Sequence, residues 1–309
     1  MNHDPFIVPP NSKISLSKDC DPGYLGKYQK KEDSVEKLQS DVERLAAYQD
    51  ILYANNRYAV LIVFQALDAA GKDSTIKHVM SGINPQGCQV FSFKAPSDEE
   101  LDHDYLWRSF RALPERGRIG IFNRSYYEEV LVARVHPEIL AKQQLPEATP
   151  KEDIWKRRFE EINNFEQYLV NNGVIVLKFF LNVSKAEQKK RFLARINEPE
   201  KNWEFSANDA KERAFWNDYM NAYEEVFNHT STDWAPWYII PADHKWFTRL
   251  VVADIIANKL ASLDLKYPVL MEEHKQQLIT AKEMLKHEPE SGIKWKLLSL
   301  APSLMIVSS

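Results

Sequence analysis

The sequence predicts an α/β protein built on a parallel sheet of five strands. Five short apolar runs alternate with helical stretches, which is the pattern of repeated β-α-β units. Apolar runs spaced by helices are also the pattern of a parallel sheet that is buried beneath helices. The predicted strands are 58–65, 89–94, 118–122, 174–181 and 237–241. The predicted helices between and after them are 74–81, 98–113, 124–134, 152–171 and 246–262.

Composition is typical of a soluble globular protein. The chain has 309 residues, of which 44% are hydrophobic and 27% charged. Its longest apolar runs, 59–64 and 174–177, are far shorter than the roughly 20 residues that span a bilayer. The first five residues lack the basic and apolar regions of a secretory signal, and two cysteines cannot form a disulfide scaffold. We therefore expect a cytoplasmic protein without a membrane partner.

Charge and missing motifs exclude several functions. The net charge of −4 argues against a nucleic-acid partner, since such proteins usually carry a basic excess. A binding site for a polyanion must then be a local basic patch. The chain contains no G-x-G, H-E-x-x-H or G-x-S-x-G pattern. These absences argue against dinucleotide binding, a protein-kinase loop, a zinc protease and a nucleophile elbow.

The predicted sheet is flanked by two extensions. Residues 1–57 form an N-terminal arm and a helix that begins near a capping box of Asp33 and Glu36. The helix has barely three heptads, so packing on its own domain is favoured over a coiled coil. The sheet domain covers 58–264, and 265–309 is a second helical extension with a helix at 271–285. We expect a homo-oligomer, although packing of these helices within one chain is equally physical.

The segment 58–75 has the form of a phosphate-binding loop. A strand leads into a loop of small residues, and a helix follows, so that backbone N–H groups and the helix dipole converge on one point. Lys72 adds a positive charge there, while Ser74 or Thr75 offers a hydroxyl to Mg²⁺. The loop and helix residues expected to contact phosphate are Ala69, Ala70, Gly71, Asp73, Ser74 and Thr75. The competing interpretation is an exposed turn containing Gly-Lys.

Two departures from the usual loop are informative. Ala66 stands where a first glycine is usual, and Asp73 follows the lysine instead of a hydroxyl residue. Asp68 lies within the loop, where a carboxylate beside phosphate is repulsive unless it holds a metal or accepts a proton. We therefore assign Asp68 to Mg²⁺ binding or general-base work, with helix capping as the alternative.

The end of the third predicted strand resembles a Walker B segment. Its usual terminal aspartate is Asn123, whose carbonyl oxygen can still bind a metal. Arg124 follows directly and can hold a phosphoryl group through two N–H donors. Glu128, four residues on, either pairs with Arg124 along a helix or orients the substrate.

An inserted segment, 184–235, is predicted to form a helical lid over this edge of the sheet. Arg191 and Arg195 lie on one face of its first helix, and such a lid lowers arginines over phosphates while excluding water. A second helix is expected at about 206–228. The aromatic residues of 203–227 are predicted to form the core of the lid, and not a platform for bases.

These motifs together resemble the polyphosphate kinase 2 family. The resemblance covers about residues 30–265, and its motifs occur in the family's order. They are Gln65–Thr75 (QALDAAGKDST), Asn84–Cys88 (NPQGC), Phe122–Glu129 (FNRSYYEE), Trp203–Ser206 (WEFS) and Trp234–Tyr238 (WAPWY).

The resemblance implies a thymidylate-kinase-like P-loop fold of three layers, α/β/α. In that family inorganic polyphosphate donates a phosphoryl group to a nucleotide with Mg²⁺, for which Mn²⁺ can substitute. The family's acid and lysine fall on Asp68 and Lys72. Its Walker B position and following arginine fall on Asn123 and Arg124, and its lid arginines on Arg191 and Arg195.

Asn123 together with Glu128 resembles the third class of the family, which phosphorylates nucleoside mono- and diphosphates. The expected substrates are therefore polyphosphate with AMP and ADP, in a reversible transfer. A basic groove for the polyanion is expected to be lined by Lys77, Arg124, Arg134, Lys190, Arg191 and Arg195.

Other functions fit the same sequence less fully. An ATP-dependent kinase of a small metabolite or nucleotide suits the strand, loop and lid. A non-catalytic nucleotide-binding module is opposed by the presence of both Lys72 and Asp68. Single-stranded RNA binding would require the aromatic residues of 189–227 to be exposed.

Overall fold

The computed structural model describes residues 1–146 and 153–287 and contains the predicted parallel sheet. All strand pairs are parallel, and the strand order is β2-β3-β1-β4-β5. The strands are β1 (Ala59–Gln65), β2 (Cys88–Ser92), β3 (Ile119–Asn123), β4 (Val174–Asn182) and β5 (Trp237–Pro241). The five predicted strands are thus confirmed, with bounds that shift by no more than two residues.

Helices account for most of the remaining described chain. The α-helices are α1 (Leu16–Asp19), α2 (Val35–Asn55), α3 (Lys72–Val79), α4 (Asp98–Leu101), α5 (Trp107–Arg111), α6 (Val132–Val135), α7 (Pro137–Ala141), α8 (Ile154–Asn171), α9 (Lys185–Asn197), α10 (Ala207–Glu212), α11 (Trp216–Thr230), α12 (Lys245–Ala261) and α13 (Glu272–Lys286). Short 3-10 helices occupy Asp4–Phe6, Lys31–Ser34, Pro85–Gly87, Tyr126–Val130, Pro199–Glu204 and Arg213–Phe215.

The central strand β1 divides two hydrophobic cores. All of its residues are buried, and its side chains alternate between the two faces. Ile62 and Phe64 pack with α2, α3 and α12, whereas Leu61 and Val63 pack with α8 and α11. The result is the expected arrangement of helices on both sides of one sheet.

The register of β1 and β3 brings the candidate residues to one edge. Phe64 pairs with Asn123, and the backbone N–H of Arg124 donates to the Phe64 carbonyl at 3.0 Å. Parallel strands end on the same side, so the loop after β1 and the turn after β3 meet there.

Three predicted helices are shorter or broken in the structure. The prediction for 98–113 is wrong because the Asp104 carboxylate accepts the Leu106 N–H and turns the chain between α4 and α5. The helix predicted at 124–134 is replaced by a 3-10 helix and α6. The helix predicted at 206–228 is interrupted between α10 and α11 by a further 3-10 turn.

The start of the N-terminal helix also differs from the prediction. Asp33 accepts N–H groups of Gln29 and Lys30, so the predicted capping box with Glu36 does not form and α2 begins at Val35. The helix packs on α12 of its own domain, as favoured.

The chain divides into two compact units. Met1–Tyr267 is one unit, which includes the N-terminal arm through buried residues such as Phe6 and Val8. Pro268–Ser309 is the other, and its described part contains α13, whereas 288–309 of the predicted extension lies outside the described residues. Among the described helices, none is long and apolar enough to cross a membrane.

Candidate active site

The loop between β1 and α3 has the backbone that phosphate binding requires. Gly71, at the N-terminus of α3, has a φ of +109°, which residues with a side chain rarely adopt. Ala69 is also left-handed, with a φ of +61°. These residues turn the chain sharply enough for α3 to begin at Lys72, with its N-terminal N–H groups free of helical partners.

Lys72 extends back into the loop. Its Nζ donates to the carbonyl of Ala66 at 2.9 Å, and only 8% of the residue is exposed. Burial and the neighbouring charge of Arg124 lower the pKa of Lys72, while Asp68 and Glu128 act in the opposite direction. The lysine is therefore a partly desolvated cation at the edge of the loop.

Arg124 links the two strand ends. Its Nη2 donates to Oδ1 of Asp68 at 2.8 Å, and its Nη1 lies 3.9 Å from the Glu128 carboxylate. Glu128 contributes most to a raised pKa of Arg124. The predicted pairing with Glu128 is thus present but looser than the bond to Asp68.

Glu128 lies in a poorly solvated environment. Burial raises its pKa, while Arg124, Lys72 and a hydrogen bond from Gln65 oppose the shift. A carboxylate with this environment between two cations is a candidate for orienting or deprotonating a substrate group.

The loop offers oxygen ligands suited to a divalent metal. Asp68 and Asp73 line the same cavity as Asn123, whose Nδ2 donates to Asp73 Oδ1 at 2.6 Å. Mg²⁺ typically takes one or two carboxylates and completes its shell with water and substrate phosphates, so this set fits it. No group of three or more His, Cys, Asp or Glu side chains in the described residues could hold a metal.

Two cavities meet at Asp68, Arg124 and Asp209. The larger, of about 950 Å³, is rich in cations. Its basic lining residues are Lys72, Lys94, Arg124, Arg191, Arg195, Lys201 and Lys245. The pKa of Lys245 is lowered by burial and by its cationic neighbours, of which Arg191 contributes most, which shows how closely the charges are gathered.

The second cavity has the opposite character. Besides Asp68 and Arg124, its lining is mostly aromatic, aliphatic and acidic. These residues include Leu67, Glu128, Leu131, Val132, Asp209, Glu212, Trp216, Tyr219 and Tyr223. Gln188 and Arg213 complete this lining, and the free volume of the cavity is only about 60 Å³. The shared residues therefore separate a large, strongly basic space from a small one whose lining is aromatic, aliphatic and charged.

Arg191 does not extend freely into the basic cavity. Its Nη1 donates to the carbonyls of Ala69 and Ala70 at 3.0 and 2.8 Å, and its Nη2 to those of Ala242 and Asp243 at 2.6 and 3.1 Å. Its Nε donates to Glu187 at 2.9 Å, so all its N–H groups have partners within the protein. This guanidinium holds the phosphate loop in shape.

The remaining predicted residues divide between the site and its surroundings. Asp73, Ser74 and Arg195 line the basic cavity, and Arg195 pairs with Glu204 at 3.3 Å. Ala70 and Thr75 are buried beneath the loop. The other predicted groove residues, which line neither cavity, are exposed Lys77, Arg134 near Glu225, and exposed Lys190 near Glu187.

Sequence reasoning missed part of the basic cavity and misplaced two aromatic residues. Lys94, Lys201 and Lys245 belong to three separate segments, and only Lys94, at the end of a predicted strand, carried a signal. Tyr219 and Tyr223 are buried as predicted for the core of the lid, but Trp203 is 82% exposed at the rim of the basic cavity. The prediction that all these aromatic residues are buried is wrong for Trp203 and for Phe215, which is 37% exposed, because both lie on short 3-10 helices that contain no buried residue.

A parallel sheet with a phosphate loop, an arginine at the neighbouring strand end and a helical lid defines a phosphotransferase with the P-loop kinase fold. The sequence model of polyphosphate kinase 2 matches residues 27–268. The chain therefore belongs to the polyphosphate kinase 2 family.

Relatives and a solved structure agree with this assignment. The chain is 52% identical to an ADP-polyphosphate phosphotransferase of Rhodopseudomonas palustris, over 91% of this chain and 97% of that one. It is 40% identical to an AMP/ADP-polyphosphate phosphotransferase of Meiothermus ruber, over 85% and 94% of the two chains. The crystal structure of polyphosphate kinase 2 from Arthrobacter aurescens matches with a TM-score of 0.79 at 36% identity, covering 89% of this chain and 98% of that one.

Proposed function

We propose that this enzyme transfers the terminal phosphoryl group of inorganic polyphosphate to AMP and to ADP. The observation that carries the proposal is the meeting of a basic and an aromatic-acidic cavity at Asp68 and Arg124. A phosphoryl donor and an acceptor can approach this pair from opposite sides, as in-line transfer requires.

Polyphosphate occupies the basic cavity in this proposal. A chain of phosphates carries about one negative charge per unit, and the cluster of Lys94, Lys201 and Lys245 beside Arg195 supplies the opposing field. The overall charge of −4 makes this local concentration necessary.

The nucleoside is proposed to enter the second cavity, whose free volume of about 60 Å³ requires it to widen on binding. The indole of Trp216 and the side chains of Leu131 and Val132 provide apolar surface for a planar base, and Glu212 and Asp209 provide acceptors for hydroxyl or amino groups. The acceptor phosphate then reaches Arg124 at the boundary with the donor.

The reaction forms a bond from an acceptor phosphate oxygen to the terminal phosphorus and breaks the bridging P–O bond of the donor. The shortened polyphosphate leaves on its own oxygen. Lys72 neutralises negative charge on the phosphoryl group in transit. Arg124, held by its bond to Asp68, orients that phosphoryl group. Asp68, with Asn123 or Asp73 and substrate phosphates, would hold Mg²⁺ or Mn²⁺, which neutralises charge that develops on the phosphate oxygens.

The acceptors are tested by supplying polyphosphate and Mg²⁺ with AMP or with ADP in separate reactions and resolving the nucleotides by chromatography. We expect ADP and ATP from AMP, and ATP from ADP. The two named relatives make the first reaction decisive, because one is named for ADP alone and the other for both acceptors. Product from ADP alone would limit the acceptor to diphosphates, and consumption of ATP but not of polyphosphate would overturn the proposal.

The raised pKa of Glu128 predicts an acid limb in the pH dependence. Below that pKa the carboxyl is protonated and no longer balances Arg124, so kcat/KM should fall at a higher pH than an ordinary glutamate would give. Glu128→Gln should remove or displace this limb while leaving the titration of the substrate phosphates in place. Superimposable acid limbs for both proteins would contradict the assignment.

We further propose a cytoplasmic homo-oligomer that does not bind nucleic acid. The oligomer is supported by the exposed apolar residues Met271, immediately before α13, and Leu278 and Leu285 on α13, which recur every seven residues. The acidic net charge argues against nucleic-acid binding. Light scattering measures the mass of the full chain, and a monomer would contradict the oligomer.

A further inference from the structure

The segment that carries Arg124 and Glu128 is attached to the protein interior by a buried ion pair. Tyr126 and Tyr127 follow Arg124, and both hydroxyls donate to Oε1 of Glu166 at 2.8 Å. The other oxygen, Oε2, accepts the Nζ of Lys178 at 2.6 Å. Glu166 and Lys178 have no exposed side-chain surface at all.

Each side-chain polar atom of this network has a hydrogen-bond partner. Besides Glu166, Lys178 Nζ donates to the hydroxyl of Tyr127 at 3.0 Å and to the carbonyl of Thr230 at 2.7 Å, which uses its three donors. A buried charge pair is tolerated when its remaining hydrogen bonds are satisfied, and it then fixes one arrangement of its partners.

A second buried ion pair, between Glu129 and Arg158, holds the same segment. Glu129 accepts from Arg158 Nη1 and from Gln143 Nε2, each at 2.6 Å. Arg158 and Glu166 both belong to α8 and are separated by about two turns, so one face of that helix holds both pairs. Glu128, between these anchored residues, faces the cavity with Arg124.

The backbone of this segment has a conformation that is unfavourable without support from its surroundings. Arg124 has a φ of +65°, and the following turn is a 3-10 helix where an α-helix was predicted. A non-glycine residue in this conformation is strained, and such strain persists where the surroundings hold it in place. The hydroxyls of Tyr126 and Tyr127 bond this backbone to Glu166 in the interior and can therefore hold it in the strained conformation.

We propose that the buried Lys178–Glu166 pair, acting through the hydroxyls of Tyr126 and Tyr127, is a positioning network that directs Arg124 and Glu128 toward the reacting phosphoryl group. The proposal rests on the proposed function only in assigning Arg124 to that group. None of the four network residues touches the cavities, so their contribution is to geometry alone.

The test is the double variant Tyr126→Phe/Tyr127→Phe. Both rings remain in the core and the Lys178–Glu166 bond is kept, but one donor of Lys178 and Oε1 of Glu166 lose their tyrosine partners. Circular dichroism therefore has to establish that the variant is folded before its rates are compared. We expect kcat to fall by about ten- to a hundredfold, a magnitude typical for a loss of alignment, with KM for polyphosphate changed less than about threefold. The acid limb of the pH profile should also shift, because the distance of Glu128 from Arg124 changes.

Tyr105→Phe is the matched control. Its hydroxyl donates to Glu161 on the same helix at 2.9 Å, whereas the contact of its ring with the Arg158 guanidinium, at 4.4 Å, is kept in the variant. We expect wild-type kcat from this variant. A similar loss in control and test would indicate a general effect on α8 and would overturn the proposal.

A second variant, Lys178→Met/Glu166→Leu, removes both buried charges together and leaves neither unpaired. If the pair only stabilises the fold, this protein should have wild-type kcat at any temperature below its unfolding transition. If the network positions Arg124, it should remain slow while folded by circular dichroism. Wild-type kcat in both folded double variants would overturn the proposal.

The proposed function and the positioning network are tested by different measurements. The wild-type protein alone tests the donor, whereas the network is tested by the ratio of variant to wild type with whichever phosphoryl donor the wild type uses.

Discussion

Replacing Lys72 by alanine is expected to lower kcat by a factor of about a thousand or more, which corresponds to roughly 4 kcal/mol of transition-state stabilisation. The ammonium group is nearly buried at the loop, where its charge is poorly screened and acts strongly on a phosphoryl group in transit. The fold should survive, because the lost bond to the Ala66 carbonyl is accompanied by removal of a desolvated charge.

Steady-state rates with saturating polyphosphate and Mg²⁺ measure this effect. Lys259→Ala serves as the control, since that lysine is exposed near the far end of α12 from Lys245. Lys77→Ala removes a cation from the exposed face of α3, and we expect less than about a tenfold change there because surface charges are screened. Full activity of Lys72→Ala, or loss of its folded circular dichroism spectrum, would overturn the role given to Lys72.

Replacing Asp68 by asparagine should have the second largest effect, a decrease in kcat of about a hundredfold or more. The change keeps the shape of the side chain but removes the charge that accepts from Arg124 at 2.8 Å and that would bind the metal. The concentration of Mg²⁺ needed for half-maximal rate should rise as well.

Asp73→Asn distinguishes the role of Asp73 in metal binding from that of Asp68. Asp73 is exposed and bonded to Asn123, so its replacement should change the Mg²⁺ dependence less than the replacement of Asp68 does. The opposite order would assign the metal to Asp73. An Asp68→Asn enzyme with wild-type rate and Mg²⁺ dependence would remove Asp68 from the site.

The sheet was predictable from sequence because β1, β3, β4 and β5 are largely buried on both faces and therefore contain continuous apolar runs. The edge strand β2 has no buried residue and was predicted from its shorter apolar run. The helices near the site were less predictable, since their ends depend on side-chain bonds that periodicity does not report. Asp104 turns the chain after α4, and Ser125 accepts the Tyr127 N–H at the start of the 3-10 helix. Such bonds compete with helical ones, and apolar spacing carries no sign of them.

The site was predictable where its residues directly follow the ends of strands. Asp68, Lys72 and Arg124 come together as the order of strands requires, because each follows a strand end. Lys201 and Lys245 reach the same cavity from the inserted segment and from α12, and no local pattern links them. Arg191 has the expected place, but its bonds to four carbonyls depend on the exact course of two loops.

The bonds of Arg191 also have a mechanical consequence. Together with the bond from Gln188 Nε2 to the Asp68 carbonyl at 2.9 Å, they join the first half of α9 to the loop that it covers. Swinging this helix outward would break these bonds together and distort the loop. Beyond it, Arg195 ties the outer part of the segment mainly through Glu204 and Asp209, contacts that an entering polyanion can replace. Arg213 also donates to Oε1 of Gln188 at 2.6 Å, so an outward movement of the outer part would have to break that bond too. A movement confined to residues after Glu198 would leave the bonds between α9 and the phosphate loop intact.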